Sequence, residues 1–330
     1  MMKQAAIVKP HADIAMRLTV GPPSHWRRGR TIRSLTLECV LALLPATVLS
    51  VWRFGWGTIE VLGMCCAASV ACEALVCRLR GGRSSLENWN AFFVGMVTAF
   101  LLPPGAPWWL AFAAGCIAIL LGQAIFGGLG SNPFSAPALA WAVCLVCWPR
   151  FMDVDMALAT LPMNEPLGQL MHFGVSSLWQ FDLSDLFWGM QVGALGASQV
   201  AALLFGGIWL LARGVIKVFI PLAFLVGVAL TAGIYWMLDP GQYASPLFHL
   251  STGSVMLCAF FLAPEHGPSP CGRLPMLLFG ALAGVMVMII RVYGVYPDGA
   301  PFAVLLANLL TPLLDRVRPR PFGAVRRNHA

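Results

Sequence analysis

Three carboxylates sit where carboxylates are costly. Glu38, Glu60 and Glu73 lie within or beside long apolar runs, and an ionisable group inside a bilayer marks an ion path or a pairing site. Glu38 and Glu73 fall near the ends of their runs and are the two expected to line an ion path. The plainer alternative is that their heads reach out to the polar interface. A second kind of chemistry is written in Gly127-Gly128-Leu129-Gly130-Ser131-Asn132-Pro133-Phe134. Glycines let the backbone approach a ligand closely, and Asn-Pro starts a helix. Gly128, Gly130 and Asn132 are therefore candidate cofactor-binding residues, although the same run also serves as a turn between helices. No strand precedes it, so it is not the dinucleotide fingerprint of a soluble fold. Cys144-x-x-Cys147 has redox or metal spacing, but it stands once in an apolar run with no matching second pair and reads as packing. His249, Arg291 and Asn308 read as helix caps or cross-bundle partners. No catalytic triad, carboxylate pair or zinc spacing can be assembled.

The elements that position these residues must be membrane helices. Of 330 residues, 58% are hydrophobic and 11% charged, with a mean hydropathy of +0.77. A soluble domain averages about 25% charged residues, so a water-soluble enzyme is excluded. The ten cysteines lie mostly in apolar runs and form no disulfide framework. The N-terminus is polar and basic and lacks the apolar core of a cleaved signal peptide.

The chain repeats itself. Ala99-Phe100-Leu101-Leu102-Pro103-Pro104 recurs as Ala259-Phe260-Phe261-Leu262-Ala263-Pro264. Phe126-Gly127-Gly128 followed by Pro133-Phe134 recurs as Tyr293-Gly294 followed by Pro301-Phe302. Short, proline- or glycine-interrupted segments at matching places in two halves point to a site between them. The fold expected is an all-α integral membrane protein of about ten helices in two inverted five-helix repeats with broken helices. The segments expected are 35–51, 58–77, 89–102, 108–125, 133–147, 187–211, 216–238, 250–263, 274–290 and 300–314, each near or below the ~20 residues that span a bilayer. The domains are then a basic N-terminal tail (1–34), the first repeat (35–149), an external connection (150–186), the second repeat (187–315) and a basic C-terminal tail (316–330).

Charge supports this order. With the N-terminus in the cytoplasm, 18 of the 21 Lys and Arg residues fall inside, and only Arg53, Arg150 and Arg291 fall outside. That is the positive-inside pattern. It places both termini in the cytoplasm and explains the net charge of +7 by topology and anionic lipid rather than by nucleic acid.

The runs Ala42-Leu43-Leu44-Pro45-Ala46, Leu101 to Pro104 with Pro107-Trp108-Trp109, Phe126 to Phe134, Ile290 to Gly299 and Phe302 to Arg316 resemble the D-type membrane component of the Rnf electron-transport complex. That family is related to the B-type component of the sodium-pumping NADH:quinone oxidoreductase. The resemblance covers almost the whole chain from Ser24. It implies one component of a complex in the bacterial inner membrane that couples electron transfer between ferredoxin and NAD to Na⁺ or H⁺ movement. The implied partners are G-like flavoprotein, B- and C-like iron–sulfur and A- and E-like membrane components. The implied cofactors are an FMN joined through its phosphate to an external threonine, and a riboflavin held in related B-type components. This chain departs from the family in three places. Ser135-Ala136-Pro137 replaces the second Asn-Pro of the family's run. Gly193-Ala194-Leu195-Gly196-Ala197-Ser198-Gln199 lacks the family's acidic residue. The attachment motif, Ser/Thr-Gly-Ala-Thr, is nowhere intact. Its nearest match, Ala157-Leu158-Ala159-Thr160, makes Thr160 the candidate for covalent FMN, with Gly193 and Gly196 approaching the flavin. A rival alignment through Pro166-Leu167 puts Glu165 at that place. A flavin-carrying redox component and a flavin-less, ion-conducting scaffold are the two readings that remain.

Overall fold

The computed structural model describes residues 30–81, 85–152, 165–196 and 198–317. From Ile32 on, the chain packs as one compact unit; of the segment before it, Met1–Thr31, only Arg30 and Thr31 are described. Among the described residues every regular element is helical.

Ten principal helices among the described residues follow the expected order. The first half holds α1 (Ile32–Phe54), α2 (Trp56–Leu79), α3 (Asn90–Leu101), α4 (Trp108–Ile119) and α5 (Ala136–Cys147). The second holds α6 (Val200–Arg213), α7 (Phe219–Leu238), α8 (Val255–Leu257), α9 (Arg273–Tyr293) and α10 (Ala300–Leu314). Four of them, α1, α2, α7 and α9, are long and apolar enough to cross a membrane by length and composition. The others are shorter apolar helices. A π-helical turn extends α4 through Leu120–Ala124, and another extends α8 through Cys258–Leu262.

The packing has a matching pattern in the two halves. In the first half α2 runs along α4, which packs on α5; in the second α7 runs along α9, which packs on α10. The halves meet where α1 crosses α6 and α5 meets α10. Small residues allow the close crossings, as they do in membrane bundles generally. Gly95 of α3 and Gly115 of α4 lie against the backbone of Cys65 and Cys66 in α2, Gly227 and Gly284 bring α7 onto α9, and Gly206 of α6 rests on the carbonyl of Ala42 in α1. Gly55 alone separates α1 from α2, and its φ of 72° supplies the left-handed backbone that so tight a reversal needs.

Two segments differ from expectation. The span expected over 187–211 is helical only from Val200. Before it the chain runs as irregular backbone, mostly buried from Gln191 to Gly196, and its polar groups must find partners there. Leu195 and Gly196 donate their backbone N–H groups to the carbonyls of Leu102 (2.9 Å) and Phe100 (2.8 Å). The Ser50 hydroxyl donates to the Leu195 carbonyl at 2.9 Å, and the Gln191 amide donates to Ser251 at 2.8 Å. The segment expected over 250–263 is broken. A short helix, Pro246–Ser251, stops, and Gly253 at φ 68° turns the chain into α8.

Candidate functional site

The first cavity opens on the face where α1 begins and measures 340 Å³. Thr36 and Cys39 come from α1, Asn90 and Phe93 from α3, Gly130 and Asn132 from the glycine-rich turn, Phe260 and Phe261 from the π-turn after α8, and Glu265 from the connection that follows. It therefore draws on both halves of the chain. The turn that supplies its polar edge needs glycine, with φ of 111° at Gly127 and Gly128 and 83° at Gly130. Arg80, past the end of α2, donates to the Ala124 carbonyl and anchors the start of that turn. The Asn90 side chain donates to Gln123 at 3.0 Å, fixing the start of α3 to the end of α4.

Asn132 is buried, and its amide donates both to the Phe134 carbonyl at 2.9 Å and to Glu265 Oε1 at 3.1 Å. Gly267 lies so close to the Asn132 side chain that no Cβ fits there. Glu265 sits in the connection between α8 and α9, part-exposed as a residue but with its carboxyl turned to Asn132. Burial pushes that carboxyl up to about 7, against the hydrogen bond from Asn132, which favours the ionised form.

On the opposite face a second cavity, of 280 Å³, is lined by Leu101, Pro103, Trp141, Glu165, Ala194, Ser254 and Asp298. Behind it lies a buried polar hub. The Arg291 side chain is 2% exposed and meets Asp298 at 3.4 Å. It also donates to the carbonyls of His249 and Thr252, both at 2.8 Å. Asp298 in turn accepts from the backbone N–H of Ser254 at 2.8 Å. The break before α8 is thereby pinned to the turn between α9 and α10. Gly253, at that break, has Arg291, Leu167 and Asp298 where a Cβ would go.

A model described as the NQR2, RnfD, RnfE family matches residues 19–323. The chain belongs to that family. It is similar to proteins named as the D component of an ion-translocating oxidoreductase complex. The one from Escherichia fergusonii is 33% identical over 94% of this chain and 99% of its own length. Those from Salmonella newport and Salmonella agona are 34% identical over the same shares.

In this NQR2, RnfD, RnfE family member the sequence-derived candidates are spread over several places. Gly130 and Asn132 line the first cavity, and Gly128 sits on its turn, facing Arg80. Gly196 is packed on the Phe100 ring and Gly193 is buried; the intervening Ala194 is what faces the second cavity. Glu38 pairs with Arg213 at 2.9 Å on the seam between α1 and α6, one residue from Cys39 in the cavity wall. Glu73 is part-exposed on α2 and accepts from the Cys77 thiol at 3.8 Å. Thr160 lies outside the described residues. Sequence reasoning missed Glu265. Its signal was present: a carboxylate directly after the duplicated helix-ending run Leu262-Ala263-Pro264.

Proposed function

We propose that the chain is the D-type membrane component of an Rnf-type ion-translocating oxidoreductase, seated in the bacterial cytoplasmic membrane with both termini inside. Family membership over nearly the whole chain supports the complex, and the distribution of Lys and Arg supports the orientation. The Asn132 cavity then faces the cytoplasm. The chain carries no nicotinamide-binding fingerprint and no iron–sulfur cysteine run. Iron–sulfur B- and C-like, flavoprotein G-like and membrane A- and E-like partners supply that chemistry, and the chain is not active by itself.

The observation that carries the coupling role is the Asn132–Glu265 hydrogen bond inside a cavity built from both halves of the chain. It puts a carboxyl that titrates near neutral pH against a pocket of cofactor size, and ligand pockets run from about 300 Å³ upward. The residues fit a non-covalently held flavin. Phe93, Phe260 and Phe261 form an apolar wall that excludes water, and Asn90 and Asn132 offer polar groups along one edge. A bound flavin would supply one- and two-electron transfer at that place. Glu265 would hold a proton or a cation at its carboxyl, with Asn132 orienting it.

The cavity on the other face does not fit an FMN ester through its described residues. Its rim presents the carboxylate of Glu165, which repels a phosphate and cannot form the phosphoester, while Asp298 is taken up by Arg291 and the Ser254 amide. Glu165 thus favours the second reading, a chain without covalent FMN. Acid precipitation of the purified complex tests both readings. A yellow supernatant, lost in the Asn132→Ala complex, supports the cytoplasmic flavin. Colour retained on this chain supports covalent attachment. A complex that still moves ions with no flavin on this chain and no loss of acid-released flavin in Asn132→Ala overturns the flavin role.

A further inference from the structure

Two uncharged side chains are buried deep in the bundle with nothing to bond. Asn308 is 2% exposed, and among the described residues neither its Nδ2 nor its Oδ1 finds a partner. Ser135 is fully buried, and its Oγ finds none either. An amide or hydroxyl shut away unpaired is costly, so such groups are normally bonded to protein or to ordered water.

Their positions are related. Ser135 leads into α5, and Asn308 lies on the buried face of α10. These two helices pack on each other, and Trp141 of α5 meets Phe302 of α10 with ring centroids 4.9 Å apart. They run antiparallel. The chain enters α5 from Asn132 at the first cavity and reaches Trp141 and Leu145 at the second. It enters α10 from Asp298 at the second cavity and returns to Thr311, whose hydroxyl donates at 2.8 Å to the carbonyl of Pro268, next to Gly267 of the first. Ser135 and Asn308 each lie six residues from the ring contact, both toward the first cavity. At 1.5 Å per residue they stand at one depth, about 9 Å from the rings. They occupy the stretch between the Asn132–Glu265 bond and the second cavity, which Trp141 lines. Their chain neighbours Ala136 and Ala307 are small and fill little of the seam.

The chemistry of the two groups selects their guest. An amide offers donors and an acceptor, and a hydroxyl can do both. A bare cation would satisfy the oxygens, but the Asn308 N–H groups would repel it and stay unpaired. Water both gives and takes. We propose that the α5–α10 seam binds ordered water at Ser135 and Asn308, and that this water relays the proton of Glu265 toward the second cavity. The O–H bond of the Glu265 carboxyl breaks and its proton passes to a water oxygen. Each water hands on one proton as it gains one, and the carboxylate is reprotonated from the first cavity. No electron changes hands. The apolar Trp141–Phe302 contact is where the wet stretch ends. The inference rests on the coupling reading given above and deepens it, with H⁺ as the ion.

The test uses the intact complex reconstituted in liposomes, with electron transfer and internal pH followed together. Asn308→Leu keeps the branched shape and removes both idle groups. It should leave electron transfer at the parent rate in the presence of a protonophore, and lower proton movement about tenfold or more. Ser135→Ala should lower it less, and Asn308→Gln, which keeps an amide, should retain most of it. An Asn308→Leu complex that moves protons as the parent does, with higher thermal stability, would overturn the relay. Ion movement by the parent that requires Na⁺ and persists with the protonophore would overturn the proton assignment. If Asn308→Leu does not assemble, a high-resolution density map of the parent complex decides. Water within hydrogen-bonding distance of Asn308 and Ser135 supports the relay, and dry apolar contacts overturn it. A parent complex that transfers electrons but moves no ion overturns the coupling reading, and this inference with it.

Discussion

Arg291 and Asp298 meet at 3.4 Å beside the break that precedes α8, and between them they hold three segments of chain. Arg291 binds the carbonyls left unpaired where the short helix ends, and Asp298 binds the first amide after the break. Removing one partner of such a pair leaves a charge buried without compensation, a loss of about 3–5 kcal/mol. Asp298→Ala should therefore lower the thermal stability of the detergent-purified complex strongly. Asp298→Asn, which keeps an acceptor for the Ser254 amide, should lower it less. Equal stability of Asp298→Ala and the parent would show that the break is held some other way.

Glu265 sets a pH dependence with a definite sign. Its carboxyl is raised from the ordinary carboxylate value to about 7, so the folded state binds a proton that the unfolded state releases. Stability should fall as pH rises from about 4.5 to about 7 and stay level above that. The full shift would correspond to about 3 kcal/mol, reduced because the residue is part-exposed. Glu265→Gln should flatten this slope and should remove an apparent pKa near neutrality from ion-coupled activity. A slope unchanged in Glu265→Gln, measured by denaturation across that range, would assign the titration to another group.

The Glu38–Arg213 pair separates an ion-path role from a structural one. Arg213 is half exposed, so the pair itself contributes under about 1 kcal/mol. Glu38 Oε2, however, is buried and finds no partner among the described residues. If Glu38 lines the ion path, Glu38→Ala should weaken ion coupling while the complex still assembles, and Arg213→Ala should alter coupling with little loss of stability. A Glu38→Ala complex with unaltered ion dependence would leave Glu38 as a residue of the α1–α6 seam.

Covalent flavin is settled by mass. The peptide covering 151–169 should run unmodified from an active complex, because Leu158 stands where the attachment motif has glycine and Glu165 cannot carry the ester. An increase of one FMN less water, lost in Thr160→Ala, would establish attachment at Thr160.

Much of the fold was legible because a membrane span is a matter of composition and length. The run 300–314 coincides with α10, and 108–125 lies within one residue of α4 and its π-turn. Irregular backbone was not legible. The stretch 187–199 is apolar enough to pass for helix, and only its contacts with Phe100, Leu102 and Ser50 reveal where its amides and carbonyls bond. Asn132 was found because glycines and a proline surround it. Glu265 was missed because a carboxylate just past a helix end looks like any loop charge until its partner, 133 residues away, is known.

The bonds from Leu195 and Gly196 to Leu102 and Phe100 also bear on how the chain is made. The last carbonyls of α3 have no partner within their own helix, and those of Phe100 and Leu102 are capped by residues that leave the ribosome more than ninety positions later. Until then those carbonyls lack the partners they have in the finished fold. The first five helices therefore do not complete themselves. A chain cut in the connection between the halves should therefore give a first half less stable than the same helices are in the whole protein.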